Sequence, residues 1–332
     1  MAAKTRYFVL TAAGILTAGL TTGLVASYLG GLPVALSRQA GPEDLAFVPQ
    51  EAVVVGYANV QEVMASELRQ RFRRMESDHP DSPDRRDFEQ KTGVNVERDV
   101  DAVVAALLPS AAGDGKDGQP LMLARGRFDQ VRIEGLVREH GGEASDYQGV
   151  RVIVHADGDK TMALGFLAPG VIAVGSRDGV QGAIDAKRSG RNVMSNTEIM
   201  RLVGELDGNN AWAVGRFDAM ASSTGLPADL QERMPMLSWF SVAGHLNGGI
   251  TGSLMAEAKD DEAAKNLRDM LRGAMAVVKL QADGRPEMRS LVDSLQLGGE
   301  GRTVAVAFSV PVEAFDALEA LSSKRRRPAE VR

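Results

Sequence analysis

The 332-residue chain contains no cysteine, four histidines and only 5% aromatic residues. The absence of cysteine excludes disulfides, thiolate metal ligands and cysteine nucleophiles, and it is compatible with an exported protein. The formal charge of -6 leaves no basic field of the size that a nucleic-acid surface needs. No nucleic-acid partner is therefore expected.

The sequence also lacks the usual signatures of a catalytic, metal or cofactor site. No two histidines lie within four residues of each other or of a matching carboxylate cluster. Gly175-Ser176-Arg177-Asp178-Gly179 is not a nucleophile elbow, because its second glycine comes one position late, and Ser176 is instead suited to cap a helix. Gly56, Gly126 and Gly215 are single glycines, whereas dinucleotide and triphosphate loops need several. No catalytic, metal-binding or cofactor-binding residue is predicted.

The N-terminal region is a predicted membrane anchor. No charged residue occurs from Tyr7 through Ser37, and residues 7–32 are long and apolar enough to cross a bilayer as a helix, which needs about 20 residues. Lys4 and Arg6 precede this segment, so we expect residues 1–6 in the cytoplasm and the bulk of the chain in the periplasm. The alternative is a signal peptide that is cleaved after small residues such as Val25-Ala26-Ser27, which would release a secreted protein. The length favours an uncleaved single-pass anchor, followed by a linker over residues 33–45.

Small residues form one stripe along this predicted helix. They recur at four-residue steps, at Gly19, Gly23, Ser27 and Gly31. Such a stripe lets two helices approach closely, so it indicates self-association of the anchor as a homodimer. The alternative is that the stripe only reflects an anchor rich in small residues.

A short motif that links a strand to a helix occurs three times. The copies are Leu121–Asp129, Ala211–Asp218 and, more loosely, Val53–Asn59. In each, an apolar run rich in strand formers reaches a glycine and then Asp or Asn, after which apolar residues follow at helical spacing. The Asp or Asn is suited to accept hydrogen bonds from the first turn of the next helix. The motif therefore predicts structure and not chemistry.

The rest of the chain divides into two predicted units, residues 46–190 and 191–322, with the boundary at Ser189–Asn192 and a basic disordered tail over residues 323–332. Each unit interleaves strands, hairpins and helices. His155 and His245 lie in hairpin strands at corresponding places of the two units, His140 ends a helix, and His79 lies in a loop. Further predictions are a helix through Val100, Val103, Val104, Leu107 and Leu108 that ends at Pro109, strands at 150–155, 162–167, 171–175, 238–246, 250–258 and 303–310, and helices at 198–206, 264–278 and 312–321.

This order predicts an α+β fold: a transmembrane helix followed by two related units of largely antiparallel sheet covered by helices. A parallel doubly wound fold would need strict alternation of strands and helices, which the hairpins exclude.

Three stretches resemble a group of uncharacterised bacterial envelope proteins of the DUF3352 type. They are the strand motif, the phrase Phe88–Asp101, and Gly170–Ser176 together with Ala183-Ile184-Asp185. The resemblance implies an N-terminal membrane segment followed by repeated α+β units over most of residues 46–321. It implies no catalytic residue.

These observations favour a membrane-anchored, extracytoplasmic, non-catalytic binding or scaffold protein of the bacterial cell envelope. Its partner would be an envelope protein or polymer, and no cofactor is expected. The alternative left open is an envelope hydrolase with a carboxylate site, because 44 Asp and Glu residues need no recognisable signature to form one.

Overall fold

The computed structural model describes residues 43–70, 83–109, 118–157, 160–206, 208–217, 237–282 and 292–311. Twelve strands form one sheet. They are β1 (Val54–Asn59), β2 (Val100–Leu108), β3 (Gln119–Gly126), β4 (Glu143–Tyr147), β5 (Val150–Asp157), β6 (Lys160–Ala168), β7 (Val171–Ser176), β8 (Ala211–Arg216), β9 (Leu237–Leu246), β10 (Gly249–Ala258), β11 (Gln296–Gly298) and β12 (Thr303–Pro311).

Helices connect and cover these strands. They are α1 (Val60–Ala65), α2 (Pro83–Thr92), α3 (Val96–Asp99), α4 (Gln130–Glu139), α5 (Arg177–Ser189), α6 (Thr197–Glu205) and α7 (Asp261–Ala282), with 3-10 helices at Glu43–Phe47 and Val193–Ser195.

The strand order is β11-β12-β10-β9-β8-β1-β2-β3-β7-β6-β5-β4, and every neighbouring pair is antiparallel. The predicted α+β class with largely antiparallel strands is therefore confirmed. The sheet continues across the predicted boundary between the units, because β1 pairs with β8 from Val54↔Gly215 to Ala58↔Ala211. The segment at that boundary also packs on the start of the described chain, where the Val193 amide donates to the Val48 carbonyl at 2.8 Å.

The predicted helix at residues 100–108 is wrong, because this segment is the central strand β2. Its apolar residues run almost continuously from Ala102 to Leu108. A strand buried on both faces and a buried helix give the same pattern over such a length. β2 lies between β1 and β3, and it buries Val104 and Ala106 on one face and Val103 on the other.

The sequence pattern does not predict β4. This strand reads Glu143-Ala144-Ser145-Asp146-Tyr147 and lies at the edge of the sheet, paired only with β5 among the described strands. Four of its five residues are exposed, so it lacks the apolar alternation that marks a half-buried strand.

The predicted helix caps are confirmed where the structure describes them. The side chain of Asn59 accepts from the Glu62 amide at 3.1 Å, that of Asp129 from the Arg132 amide at 3.0 Å, and that of Ser176 from the Gly179 amide at 3.0 Å. Asp260 likewise accepts from the Ala263 amide at 2.7 Å, at the start of α7. The cap predicted at Asp218 lies outside the described residues.

The three motif glycines all lie in strands, but for different reasons. A Cβ at Gly126 would collide with the carbonyl oxygen of Asp99, and one at Gly215 would lie 2.8 Å from the carbonyl oxygen of Val53. Close approach of a neighbouring backbone therefore requires glycine at these two positions. Gly56 has no contact of that kind.

The main core lies on the face of the sheet that carries Val104, Leu121, Leu123 and Ala173, and we call this face the packed face. Helix α5 covers it together with residues 45–48. Asp44 is 4% exposed and holds the covering segment against the sheet, because the Arg125 guanidinium donates three hydrogen bonds of 2.6–3.1 Å to its carboxylate.

Several predicted features lie outside the described residues. Among the ranges given above, no helix combines the length and the hydropathy needed to cross a bilayer. The features not described are the anchor at 7–32 with Gly19, Gly23, Ser27 and Gly31, most of the linker, His79, the helix at 312–321 and the tail at 323–332.

Candidate functional site: an apolar cavity on the second face of the sheet

The second face of the sheet carries a cavity of about 120 Å³. It lies between strands β3, β5, β6 and β7 and helices α2, α3 and α4. The residues that line it are almost all apolar: Phe88, Thr92, Val94, Val96, Val100, Ala124, Phe128, Ile133, Leu136, Val137, Ile153, His155, Met162, Ala163, Leu164, Ile172 and Val174.

The floor of the cavity follows from the alternation of side chains along the strands. Ala124 lies opposite Ile172, whereas its chain neighbour Leu123 lies opposite Ala173 on the packed face. Successive residues of a strand point to opposite faces, so one segment supplies both the main core and the cavity floor. Ala124 contributes only a methyl group to the floor, which leaves space above it.

Helices α2 and α4 form the roof. Ile133 of α4 is buried against the cavity, and Phe88 of α2 is packed beside it. The Arg132 guanidinium of α4 donates to the carbonyl oxygens of Lys91, at 3.0 Å, and Gln90 at the end of α2. Those carbonyls lack partners within their own helix, so Arg132 links the two roof helices by their ends.

The close packing of α4 on β5 depends on the turn after the helix. A Cβ at Gly142 would lie 2.8 Å from side-chain carbons of both Ile153 and Val137. Glycine at this position therefore lets the roof approach the strand.

Among the described residues, two polar side chains border the cavity. The Thr92 hydroxyl already donates to the Phe88 carbonyl at 2.7 Å and accepts from the Val94 amide at 3.1 Å. His155 is half-buried. A water molecule needs two to four polar partners, and this wall supplies few of them, so it favours an apolar occupant.

Apolar side chains that lack packed neighbours on one side lose dispersion contacts. A bound apolar molecule would restore the missing contacts. The volume of the cavity is close to that of an engineered apolar cavity of about 150 Å³ in another protein, which binds benzene.

Charged groups near the cavity are paired outside it. Buried Glu134 of α4 accepts from Gln130 at 2.7 Å and from Arg151 of β5 at 3.2 Å. Asp99 accepts two hydrogen bonds of 3.0 Å from Arg98, and these bonds lower the pKa of its carboxyl. No Asp, Glu, Lys or Arg lines the cavity within the described part of the chain.

A second and smaller cavity lies under α6, with a volume of about 40 Å³. Arg201 lines it and is paired with Glu257 at 2.8 Å, Glu205 at 3.0 Å and Glu198 at 3.3 Å. Ser241 also lines it, is 1% exposed, and has no hydrogen-bond partner for its hydroxyl among the described residues. The space suits a molecule of the size of water.

Within the seven described ranges, no group of three or more His, Asp and Glu residues could hold a metal ion. His140 ends α4, and its Nδ1 lies 2.8 Å from the Leu136 carbonyl oxygen, as expected for a helix-end histidine. The predicted correspondence of His155 and His245 is wrong. The strand registers put His155 on the cavity face and His245 on the packed face.

Sequence reasoning missed the cavity. Its floor comes from strands that are neighbours in space but not in sequence, and its size depends on Ala124. The continuous apolar run of β3 from Leu121 to Ala124 is a weak signal that could have marked a strand buried on both faces.

No family model matches the chain, and no curated protein matches it. Two solved structures align with most of it. Crystal form I of TP0453 aligns with a TM-score of 0.43 and 13% identity over 86% of this chain and 99% of that one, and crystal form IV with a TM-score of 0.41 and 10% identity over 83% and 96%. Scores at this level do not establish a shared fold, so the function has to be argued from the cavity.

Proposed function

We propose that this chain is a membrane-anchored, non-catalytic binding protein of the bacterial cell envelope, and that its ligand places an apolar group in the cavity of the second face. The observation that carries the proposal is the cavity itself. It is an apolar space of about 120 Å³ between the second face of the sheet and helices α2 and α4.

The chemistry of the wall indicates the class of ligand. Recognition would come from burial of apolar surface, at about 25 cal/mol per Å², and from shape. A six-carbon ring or a short segment of an alkyl chain suits the volume, whereas a charged group would lose its hydration without a partner. His155 is the one titratable side chain that the described part of the chain places on the wall, so we expect any polar end of the ligand beside it.

The location of the protein is proposed from the N-terminal sequence. Residues 7–32 would form a single-pass anchor with residues 1–6 in the cytoplasm, and the cavity would then lie in the periplasm. Self-association through Gly19, Gly23, Ser27 and Gly31 would make the protein a homodimer. Cleavage of the segment would instead release the protein, and mass spectrometry of the mature N-terminus separates these outcomes.

The alternative of an envelope hydrolase has weaker support. A carboxylate-based mechanism needs two acidic groups that face a shared space. In the part of the chain that the structure describes, no acidic residue lines the larger cavity. In the smaller cavity, Glu205 and Glu257 are both paired with Arg201.

The test compares the wild type with a variant whose cavity is filled. Ala124→Leu places a larger apolar side chain on the cavity floor. Val131→Leu is a matched control, because Val131 lies on α4 and is 80% exposed. The probe is benzene, and the measurement is the free energy of unfolding of the full chain in detergent micelles with and without it.

We expect benzene to stabilise the wild type and Val131→Leu by about 1–3 kcal/mol at 10 to 100 times its dissociation constant. Ala124→Leu should gain nothing, because the added side chain occupies the site. Equal stabilisation of all three proteins would mean that benzene acts through the micelle, and the proposal would then be wrong.

A further inference from the structure

Helix α7 has two halves with different environments. Its first half packs on the sheet, where Ala263 and Ala264 are buried against Ala258 and Val304. The Arg268 guanidinium adds hydrogen bonds of 2.9 Å to the Thr303 carbonyl and 3.1 Å to the Gly301 carbonyl. Packing weakens after Leu271, and no later residue of the helix with a described side chain is buried.

The second half is apolar and exposed. Met270 is 58% exposed, Val277 53%, Val278 39% and Leu280 74%. Met270 and Val277 lie on one side of the helix with Leu280 beside them, whereas Val278 lies seven residues after Leu271 and so towards the side that packs on the sheet. Single exposed apolar residues are ordinary, but neighbouring ones mark a contact surface. These four account for most of the exposed large apolar residues in the described part of the chain.

The charge of this half is positive. Between Met270 and Ala282 the only ionisable residues are Arg272 and Lys279. They lie seven residues apart and so form one stripe, as Met270 and Val277 form another, with Leu280 between the two. Arg272 pairs with Asp269 at 2.7 Å on an exposed surface, where such a pair is weak.

We infer that the second half of α7 lies on an anionic lipid surface. A helix that joins an exposed apolar stripe to a cationic stripe is suited to lie at a bilayer interface, with the apolar side chains among the acyl chains and the cations at the phosphates. Two copies of this surface packed against each other would bring like charges together, which disfavours a second copy as the occupant.

The proposed anchor puts this helix within reach of the bilayer. The linker between residues 32 and 43 can span at most about 35–40 Å. A sheet of twelve strands is about 50 Å wide at its 4.8 Å strand spacing. One edge of the folded part can therefore rest on the surface. This step depends on the anchor, whereas the exposed surface of α7 does not.

The absence of cysteine allows a direct test. Val277→Cys and Val131→Cys each introduce a unique thiol at an exposed valine, one on the α7 surface and one on α4, which serves as the control. Each full-length variant is labelled with an environment-sensitive fluorophore and incorporated in vesicles of phosphatidylcholine with or without phosphatidylglycerol. Flotation first establishes that the chain is anchored, and quenching by lipids with spin-labelled acyl chains then reports contact with the bilayer.

We expect the label at position 277 to be quenched several-fold more than the label at 131 in vesicles with phosphatidylglycerol. Quenching should fall in zwitterionic vesicles, at high salt, and when Arg272→Gln and Lys279→Gln are added. Equal quenching of the two labels in floated vesicles would overturn the inference. Disulfide-linked dimers through position 277 would also overturn it, because they would show that a second copy covers this surface. Shielding of the label at 277 from both iodide and lipid quenchers would overturn it as well, because another segment of the chain would then cover the surface. Failure to float would instead contradict the anchor.

Discussion

The two faces of the sheet at β3, β5, β6 and β7 use adjacent residues for different purposes. On the packed face, Leu123 and Ala173 are 1% and 0% exposed and belong to a core of 25 buried residues. On the cavity face, Ala124 and Ile172 are 3% and 7% exposed, belong to a smaller cluster of seven buried residues, and also line the cavity. Because a strand presents alternate residues to its two sides, one face can supply stability while the other leaves room for a ligand.

Different helices cover the two faces of the sheet. Helix α5 packs on its face with Val180, Ala183 and Ile184 fully or almost fully buried. The roof of the cavity buries Ile133 and packs Phe88 beside it, and it is also linked by polar contacts at its margins, such as those of Arg132 and Glu134.

The largest expected difference in stability between the two faces comes from replacing one leucine on each face with alanine. Leu123→Ala leaves a new enclosed cavity in the main core, so we expect a loss of about 2–5 kcal/mol in the free energy of unfolding. Leu164→Ala enlarges a space that already exists and removes a half-buried side chain, so we expect its loss at or below about 2 kcal/mol. Urea denaturation measures both losses, with one common slope of the free energy of unfolding against urea concentration. Equal losses would mean that the two faces are packed alike.

A smaller effect comes from enlarging an alanine on each face. Ala173→Leu overfills a packed site and should destabilise by about 1–3 kcal/mol. Ala124→Leu fills empty space and should be neutral or stabilise by about 0.5–2 kcal/mol. The same denaturation series gives both values. Comparable destabilisation by the two substitutions would show that the space above Ala124 does not exist in solution.

The smallest effect concerns the charges outside the cavity roof. Hydrogen bonds from Arg98 lower the pKa of Asp99 at the end of α3. A carboxyl with a lowered pKa in the folded state adds stability that is present above its unfolded pKa of about 3.9 and is lost as the pH falls through the folded value. We therefore expect Asp99→Asn to lower stability at neutral pH by less than about 1 kcal/mol and to flatten the loss of stability below about pH 4.

The control for this prediction is the free energy of unfolding of the wild type as a function of pH, measured by urea denaturation from about pH 2 to pH 7. A wild-type curve and an Asp99→Asn curve that stay parallel across this range would contradict the assignment.

Much of the fold could be predicted from the sequence because local chemistry determines it. The caps at Asn59, Asp129 and Ser176 depend on a side chain and an amide three residues away, and the hairpin between β9 and β10 follows from Asn247-Gly248-Gly249. Segments whose environment is set from a distance were missed. The apolar run of β2 fits a buried helix as well as a central strand, and the polar β4 has no apolar face to mark it.

The cavity could not be predicted for the same reason. It requires β3 to lie beside β7 and not beside the next strand along the chain, and it requires α2 and α4 to meet above that pair. No local pattern specifies either condition. Histidine spacing could not indicate that His155 borders an apolar space.

The most direct test of the proposed binding site is the measurement of nuclear Overhauser effects between decanoic acid and methyl groups of the full chain in deuterated detergent micelles. The account predicts contacts from the alkyl protons of the ligand to Ile153, Leu164 and Ile172 on the cavity face, and their loss in Ala124→Leu. Contacts confined to Val277 and Leu280 of α7, or contacts at the cavity face that persist unchanged in Ala124→Leu, would contradict it.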